Sequence, residues 1–208
     1  MSIGPGPDRD PEFLHQNNEG SIYVITGSMF SSKSDRLIWI LRQAEYARFR
    51  VQAFKPEVDV RRGNDTINTF DQVKFPATSV EKASQILEKL EDGVQVVGID
   101  EGNFFDMELV DVCKTLARLG KHVVVAGLHS DFKGETFGPM GLLQVEADYI
   151  ERRQARCSVC GKPASKTQRL IRDENGIRPA YYEDPVVVVG EEQYEARCRH
   201  HHEIPHRK

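Results

Sequence analysis

The sequence predicts an α/β fold, a parallel sheet with helices on both faces, carrying a smaller module towards the C-terminus. Three observations predict it. Apolar strand patterns at 21–26, 94–99 and 121–128 alternate with helical patterns, and that alternation builds parallel sheets. The first strand runs straight into a small-residue loop that ends in Lys33-Ser34 and opens a helix. Beyond about residue 150 the chain changes character, and three of its four cysteines gather there.

Composition narrows the possibilities. With 208 residues, 39% of them hydrophobic, the chain can bury one ordinary core and support an appendage. A net charge of −4 argues against a duplex-DNA binder that relies on a basic face. No apolar run approaches the roughly 20 residues of a membrane span. Neither nucleic acid nor a membrane is therefore an expected partner. Residues 1–20 are polar, contain Pro5, Pro7 and Pro11, and lack an apolar signal-peptide core. They read as a disordered leader or a non-native extension. Four cysteines are too few for a disulfide scaffold, which favours a reducing, cytoplasmic setting.

The elements follow in order. Gly27-Ser28-Met29-Phe30-Ser31-Ser32-Lys33-Ser34 has the context of a P-loop, a strand before it and a helix after it. Backbone N–H groups there face phosphate oxygens, Lys33 reaches the outer phosphates and the Ser34 hydroxyl holds Mg²⁺. The second glycine of the usual pattern is Ser32. Leu37, Ile38 and Leu41 mark the apolar face of the helix. A short strand at 50–54 exits at Lys55-Pro56, and 57–72 reads as a polar loop. In that loop Asp59 and Arg61 are either phosphate or metal groups or two solvated charges. Residues 84–90 read as a helix.

The strand at 94–99 ends in Asp100-Glu101, as a Walker B strand does. One carboxylate can serve the metal and the other act as general base. A helix at 107–119, closed by Gly120, holds Cys113 as a packed residue. After the strand at 121–128 comes a loop at the ligand-bearing edge of the sheet. Its Phe132 and Phe137 either face a substrate or pin the loop, and His129 has a ligand-facing or a structural role. Cys157-x-x-Cys160 and Cys198-x-x-His201 suit one tetrahedral zinc ion, the two-residue spacing choosing His201 over His200 and His202. Between the pairs, 185–190 reads as a strand. Arg152, Arg153, Arg156 and Lys162 read as a solvated basic face.

Together these motifs resemble the type II thymidine kinases, a P-loop domain with a zinc-bearing lasso domain, over about residues 21–205. The resemblance rests on 27–34, Phe54-Lys55-Pro56, Asp59 with Arg61, Asp100-Glu101-Gly102-Asn103-Phe104-Phe105, Ala126-Gly127-Leu128, Asp131-Phe132, Phe137-Gly138-Pro139 and the four zinc positions. It implies a P-loop NTPase-like sheet at 21–150 and a zinc-binding lasso domain at 151–208. It also implies transfer of the ATP γ-phosphoryl group to the 5′-hydroxyl of thymidine with Mg²⁺. Glu101 matches the general base and Asp100, with Ser34, the magnesium side. Asp59 and Arg61 join the phosphate group. Met29, Phe104, Leu128, Phe132 and Phe137 match positions around the thymine ring. Val187, Val188, Gly190 and Tyr194 lie in the lasso that closes over the nucleoside. Members are usually homotetramers.

The chain departs from that pattern at Ser32 (usually Gly), Asn103 (usually Gln) and His129 (usually Asp). It departs again at 68–72, where a Ser-His-x-Gly segment is expected, and in a lasso about one residue short. The competing expectation is a nucleotide-binding homologue with little turnover or an altered substrate.

Overall fold

The computed structural model describes residues 19–57, 66–68, 73–174, 176–187 and 193–207. Its centre is a six-stranded sheet made of β1 (Ser21–Gly27), β2 (Val51–Pro56), β5 (Thr78–Val80), β6 (Val96–Ile99), β7 (His122–Leu128) and β8 (Tyr149–Arg153). The spatial order is β5-β2-β6-β7-β1-β8, and every neighbouring pair is parallel. Strands buried on both faces need continuous apolar runs. β1 and β7, buried along their whole length, supply them.

Helix α1 (Lys33–Tyr46) covers one face, burying Leu37, Ile38, Ile40, Leu41 and Ala44 against Tyr23, Ile25, Val96 and Val124. A hairpin of β3 (Thr66–Asn68) and β4 (Lys74–Pro76) joins this layer through Ile67 and Phe75. The polar stretch read as loop thus contains a strand. The other face carries α2 (Gln85–Glu88), α3 (Glu108–Arg118) and α4 (Met140–Glu146), which bury Ile86, Leu109, Leu116, Met140 and Leu143. α2 is a single turn, shorter than the 84–90 pattern implied. α3 stops where expected, because Gly120 takes the left-handed φ of 75° that a helix C-terminus favours. Cys113 is packed inside this layer, and burial pushes its thiol well above the usual range.

A smaller module follows β8, whose strand crosses residue 150 to end at Arg153. β9 (Ala155–Arg156) and β10 (Pro163–Ala164) form a tight hairpin. β11 (Lys166–Asp173) pairs with β12 (Gly176–Pro179) and with β13 (Tyr194–Arg197). The apolar cluster of this module is small, Ala155, Cys157, Ala164, Ala196 and Cys198, with Leu170 and Ala180 also buried in the module. The strand expected at 185–190 is not found at 185–187, and 188–190 lie outside the described residues. The valine run has strand propensity, but Pro185 cannot donate to a ladder. Its carbonyl instead accepts a bond from Arg169 at 2.6 Å.

Candidate active site and metal centre

The carboxyl ends of β1 and β6 bring the two informative motifs together. The Ser34 hydroxyl, at the start of α1, donates to Asp100 Oδ1 at 3.0 Å. Asp100 is buried. Glu101 adopts φ 50°, ψ 40°, a left-handed conformation that costs a non-glycine residue on the order of 1–3 kcal/mol. β6 ends at Ile99, so this bend begins the 3₁₀ turn Gly102–Phe104. Both carboxylates act on Lys33, Glu101 more strongly than Asp100. Burial outweighs their pull and brings the lysine below its usual range.

The phosphate loop is built under strain and held from outside. Phe30 and Ser32 have φ of 62° and 54°. Ser32 precedes α1 without a side-chain cap, as a residue in that conformation must, since capping needs extended dihedrals. A Cβ on Gly27 would stand 2.4 Å from the Arg153 carbonyl oxygen, so only glycine fits there. Ser31 Oγ donates to the Ser28 carbonyl at 2.8 Å, and Lys33 Nζ donates to the same oxygen at 2.8 Å. The small module supplies two more ties. Ser28 Oγ donates to the Ala164 carbonyl at 3.1 Å, and the Thr167 hydroxyl accepts from Met29 N–H at 3.1 Å.

A charged network behind the loop escaped the sequence reading. Glu151 on β8 accepts from Arg36 at 2.8 Å, from Arg153 at 2.8 Å and from Tyr23 at 2.9 Å. Arg153 also donates to the Ser31 carbonyl at 3.0 Å. Arg153 is therefore a strut of the phosphate loop, not part of a solvated face, whereas Arg152, Arg156 and Lys162 are exposed. Burial raises the Glu151 carboxyl, but Arg36 and Arg153 outweigh it and hold it below the usual range. Burial and Glu151 push Tyr23 up to about 12.

The expected nucleoside positions divide. Phe104 and Phe137 meet edge to face, centroids 5.4 Å apart. Leu128 is buried at the end of β7, where its N–H donates to Asn103 Oδ1 at 2.9 Å. Asn103 thus has a bracing bond, although its Nδ2 has no partner among the described residues. Phe132 is only 2% exposed, beneath the Arg169 guanidinium at 5.6 Å, and His202 bonds its carbonyl at 2.8 Å. That packing favours the loop-pinning reading of Phe132. Tyr194 bonds the Val186 carbonyl at 3.5 Å, and Val187 is exposed. Asp59, Arg61, Val188 and Gly190 lie outside the described residues.

The metal centre is assembled as its spacing predicts. One ligand atom from each of Cys157, Cys160, Cys198 and His201 lies within 4.8 Å of every other. Cys160 and Cys198 sulfurs are 3.8 Å apart, and His201 Nδ1 lies 3.3 Å and 3.6 Å from Cys198 and Cys157. Tetrahedral zinc, with bonds of about 2.3 Å to sulfur and 2.0–2.1 Å to nitrogen, sets edges of about 3.8 Å and 3.5 Å. The cluster fits that ion. Burial raises the Cys157 thiol, but backbone N–H groups of Cys198, Val159 and Cys160 prevail and bring it down to about 5. His202 is occupied at Phe132 and His200 is exposed, which leaves His201 as the histidine of the set.

A family model described as thymidine kinase matches residues 20–202. Three solved structures are distantly similar. Domain III of the Thermotoga maritima replication initiation protein DnaA is 14% identical over 69% of this chain and 58% of that one, with a TM-score of 0.44. A replication initiator DnaA bound to AMPPCP and single-stranded DNA is 16% identical over 69% of this chain and 44% of that one, TM-score 0.43. A DNA replication initiation factor is 15% identical over 68% and 43%, TM-score 0.42. The chain thus spans less than two thirds of the length of each.

Proposed function

The chain belongs to the thymidine kinase family, and from that premise we propose that it transfers the γ-phosphoryl group of ATP to the 5′-hydroxyl of thymidine. Family membership itself supports a nucleoside kinase role. The single observation that carries the finer reading is the Ser34–Asp100 bond of 3.0 Å, with Glu101 next in the chain and Lys33 in the field of both carboxylates.

Each side chain then has a task. Lys33 and the uncapped N–H groups that open α1 hold the phosphates and meet the charge that spreads over them during transfer. Ser34 and Asp100 would hold Mg²⁺, which, when bound, neutralises phosphate charge. Glu101 accepts the proton of the 5′-hydroxyl. As the 5′-oxygen bonds to the γ-phosphorus, the bond from that phosphorus to the β–γ bridging oxygen breaks and ADP leaves. Met29, Phe104, Leu128 and Phe137 are proposed to flank the base, with the lasso from Val187 to Tyr194 closing over it and Phe132 bracing the wall. Asp59 and Arg61 are assigned to the phosphates by resemblance.

The zinc ion is structural, the working unit a homotetramer, the setting cytoplasmic, and the division near residue 150 one of P-loop and lasso domains. A solution mass near the 23.6 kDa of one chain would count against the tetramer.

The test is a steady-state assay with ATP, Mg²⁺ and thymidine, deoxyuridine or deoxycytidine. Thymidine should be the preferred acceptor. Glu101→Gln should lower kcat about 10²–10⁴-fold while ATP binding stays near that of the parent. An unchanged kcat removes Glu101 from the mechanism. Retained ATP binding with no turnover on any nucleoside supports a nucleotide-binding homologue, a reading favoured by the left-handed Ser32 in place of the usual glycine.

A further inference from the structure

A polar cleft of about 470 Å³ opens between the loop after β7, helix α4, the end of β8 and the start of β11. None of the proposed kinase residues lines it. Its wall carries Arg152, Lys166 and Arg199 and no carboxylate, in a chain whose acidic residues outnumber its basic ones by 32 to 28. Cations gathered without an acid create a local field for an anion. Both acids of the loop after β7 have other partners, Glu135 accepting from the Tyr182 hydroxyl. Asp131 accepts from the backbone N–H groups of Lys133 at 2.9 Å and Glu135 at 3.1 Å, within its own loop.

Two buried polar atoms of the cleft-lining residues lack partners among the described residues. Ser130 is 5% exposed, and its hydroxyl has no hydrogen-bond partner among the described residues. His129 Nδ1 is also buried and unpartnered, while the ring bonds the Gly27 backbone. Buried polar atoms are normally satisfied, so two adjacent exceptions in residues that line one cleft mark it as a place where an outside partner can be taken up. The charges acting on His129 are Arg152, Lys166 and Lys33, all positive. Lys166 reaches over the cleft, its Nζ 3.6 Å from where a Cβ on Gly134 would stand. The family resemblance places aspartate at position 129, so histidine removes a negative charge from this wall.

We propose that this cleft binds the phosphate group of a small phosphorylated molecule, at a site separate from the phosphate loop. Hydroxyl and cationic donors suit phosphate oxygens, and charge-assisted bonds are the strong ones. The cleft meets α4, on the sheet face that packs α3 and α4, whereas the phosphate loop feeds α1 on the opposite face. The two sites adjoin across the end of β1; Arg152, Lys166 and Arg199 line the cleft, and Lys33 acts on its His129 from the phosphate loop.

Calorimetric titration of the full chain with inorganic pyrophosphate tests this without any turnover. Lys33→Ala, which disables the phosphate loop, should retain one pyrophosphate site. Adding Arg152→Ala and Lys166→Ala should weaken that site at least tenfold, and Ser130→Ala alone severalfold with an unchanged melting temperature. Arg152→Ala with Lys166→Ala in the parent should leave MgATP affinity within twofold. ADP is titrated beside pyrophosphate. Tighter ADP binding at the cleft identifies a nucleotide as the source of the phosphate, and equal affinity identifies the free anion. Loss of all pyrophosphate binding in Lys33→Ala, or its persistence when both cleft cations are gone, overturns the proposal.

Discussion

The phosphate loop and the metal cluster are both short turns that must hold polar atoms in place, and they do so by opposite means. The cluster draws four residues together from two ends of one module, beside an apolar cluster of three alanines and two of the cysteines themselves. So small an apolar cluster cannot supply much hydrophobic stabilisation. The phosphate loop carries two left-handed non-glycine residues and is held by groups more than a hundred residues away: Ala164, Thr167 and Arg153. The first is closed by its own sequence. The second is strained locally and braced globally. The difference teaches that the smaller module has a mechanical part in the larger site.

The largest expected effect follows from that dependence. Structural zinc contributes about 10–16 kcal/mol of apparent binding energy in small zinc peptides at neutral pH, and in such domains that energy is folding energy. Stripping the metal with a chelator, or Cys160→Ser, should unfold 155–203. It should also release Ser28 and Met29 from Ala164 and Thr167, so ATP affinity should fall with zinc content. Amide hydrogen exchange read at 28–31 measures the coupling. Unchanged protection in the metal-free protein would separate the two regions.

Legibility in the sequence divides along the same line. The cluster of Cys157, Cys160, Cys198 and His201 is legible because each pair is local and only the gap between pairs is long. The meeting of Gly27 to Ser34 with Asp100-Glu101 is legible because strand, loop and helix patterns adjoin each motif. The left-handed turn at Glu101 was not, since nothing in Ile-Asp-Glu-Gly specifies where β6 stops. The Glu151 network was hidden for a different reason. Its members sit at 23, 36, 151 and 153, and only the parallel pairing of β1 with β8 brings them together. Charge pattern alone made Arg153 look solvated. The 185–190 run failed the other way: valines have strand propensity, but a strand also needs a ladder.

A middle-sized effect breaks the brace while sparing the metal. Arg36 is only 6% exposed at its side chain, so Glu151→Gln removes a carboxylate that faces a buried guanidinium. Breaking such a pair costs about 3 kcal/mol. The pH dependence has a definite sign. The folded Glu151 carboxyl lies below its usual value, so its contribution is full above the unfolded pKa and is lost as pH falls through the lower folded one. Denaturant midpoints across the acid range should drop more steeply for the parent than for Glu151→Gln. Parallel curves would show that Glu151 does not titrate into this network. Zinc content should be the same in both proteins at neutral pH.

The smallest effect tests whether the loop's strain is already present in the folded protein. Ser32 stands at φ 54°, ψ 42°, and a left-handed L-residue costs roughly 1–2 kcal/mol. Glycine removes that steric cost but gains freedom in the unfolded chain, an opposing 0.5–1 kcal/mol or so. Ser32→Gly should therefore stabilise the protein by about 0.5–1 kcal/mol, which for a chain of this size raises Tm by about 1–4 °C. The hydroxyl makes no cap bond to α1, so nothing is lost there. Because the residue already holds the left-handed conformation in the folded loop, the gain belongs to folding, and MgATP affinity should stay within about twofold. The alternative is that the loop must move to admit phosphate. Strain relief would then enter the binding step, and Ser32→Gly would tighten MgATP severalfold with little change in Tm. Measuring Tm and MgATP affinity on the same two proteins decides between a loop built in its binding geometry and one that serine holds away from it.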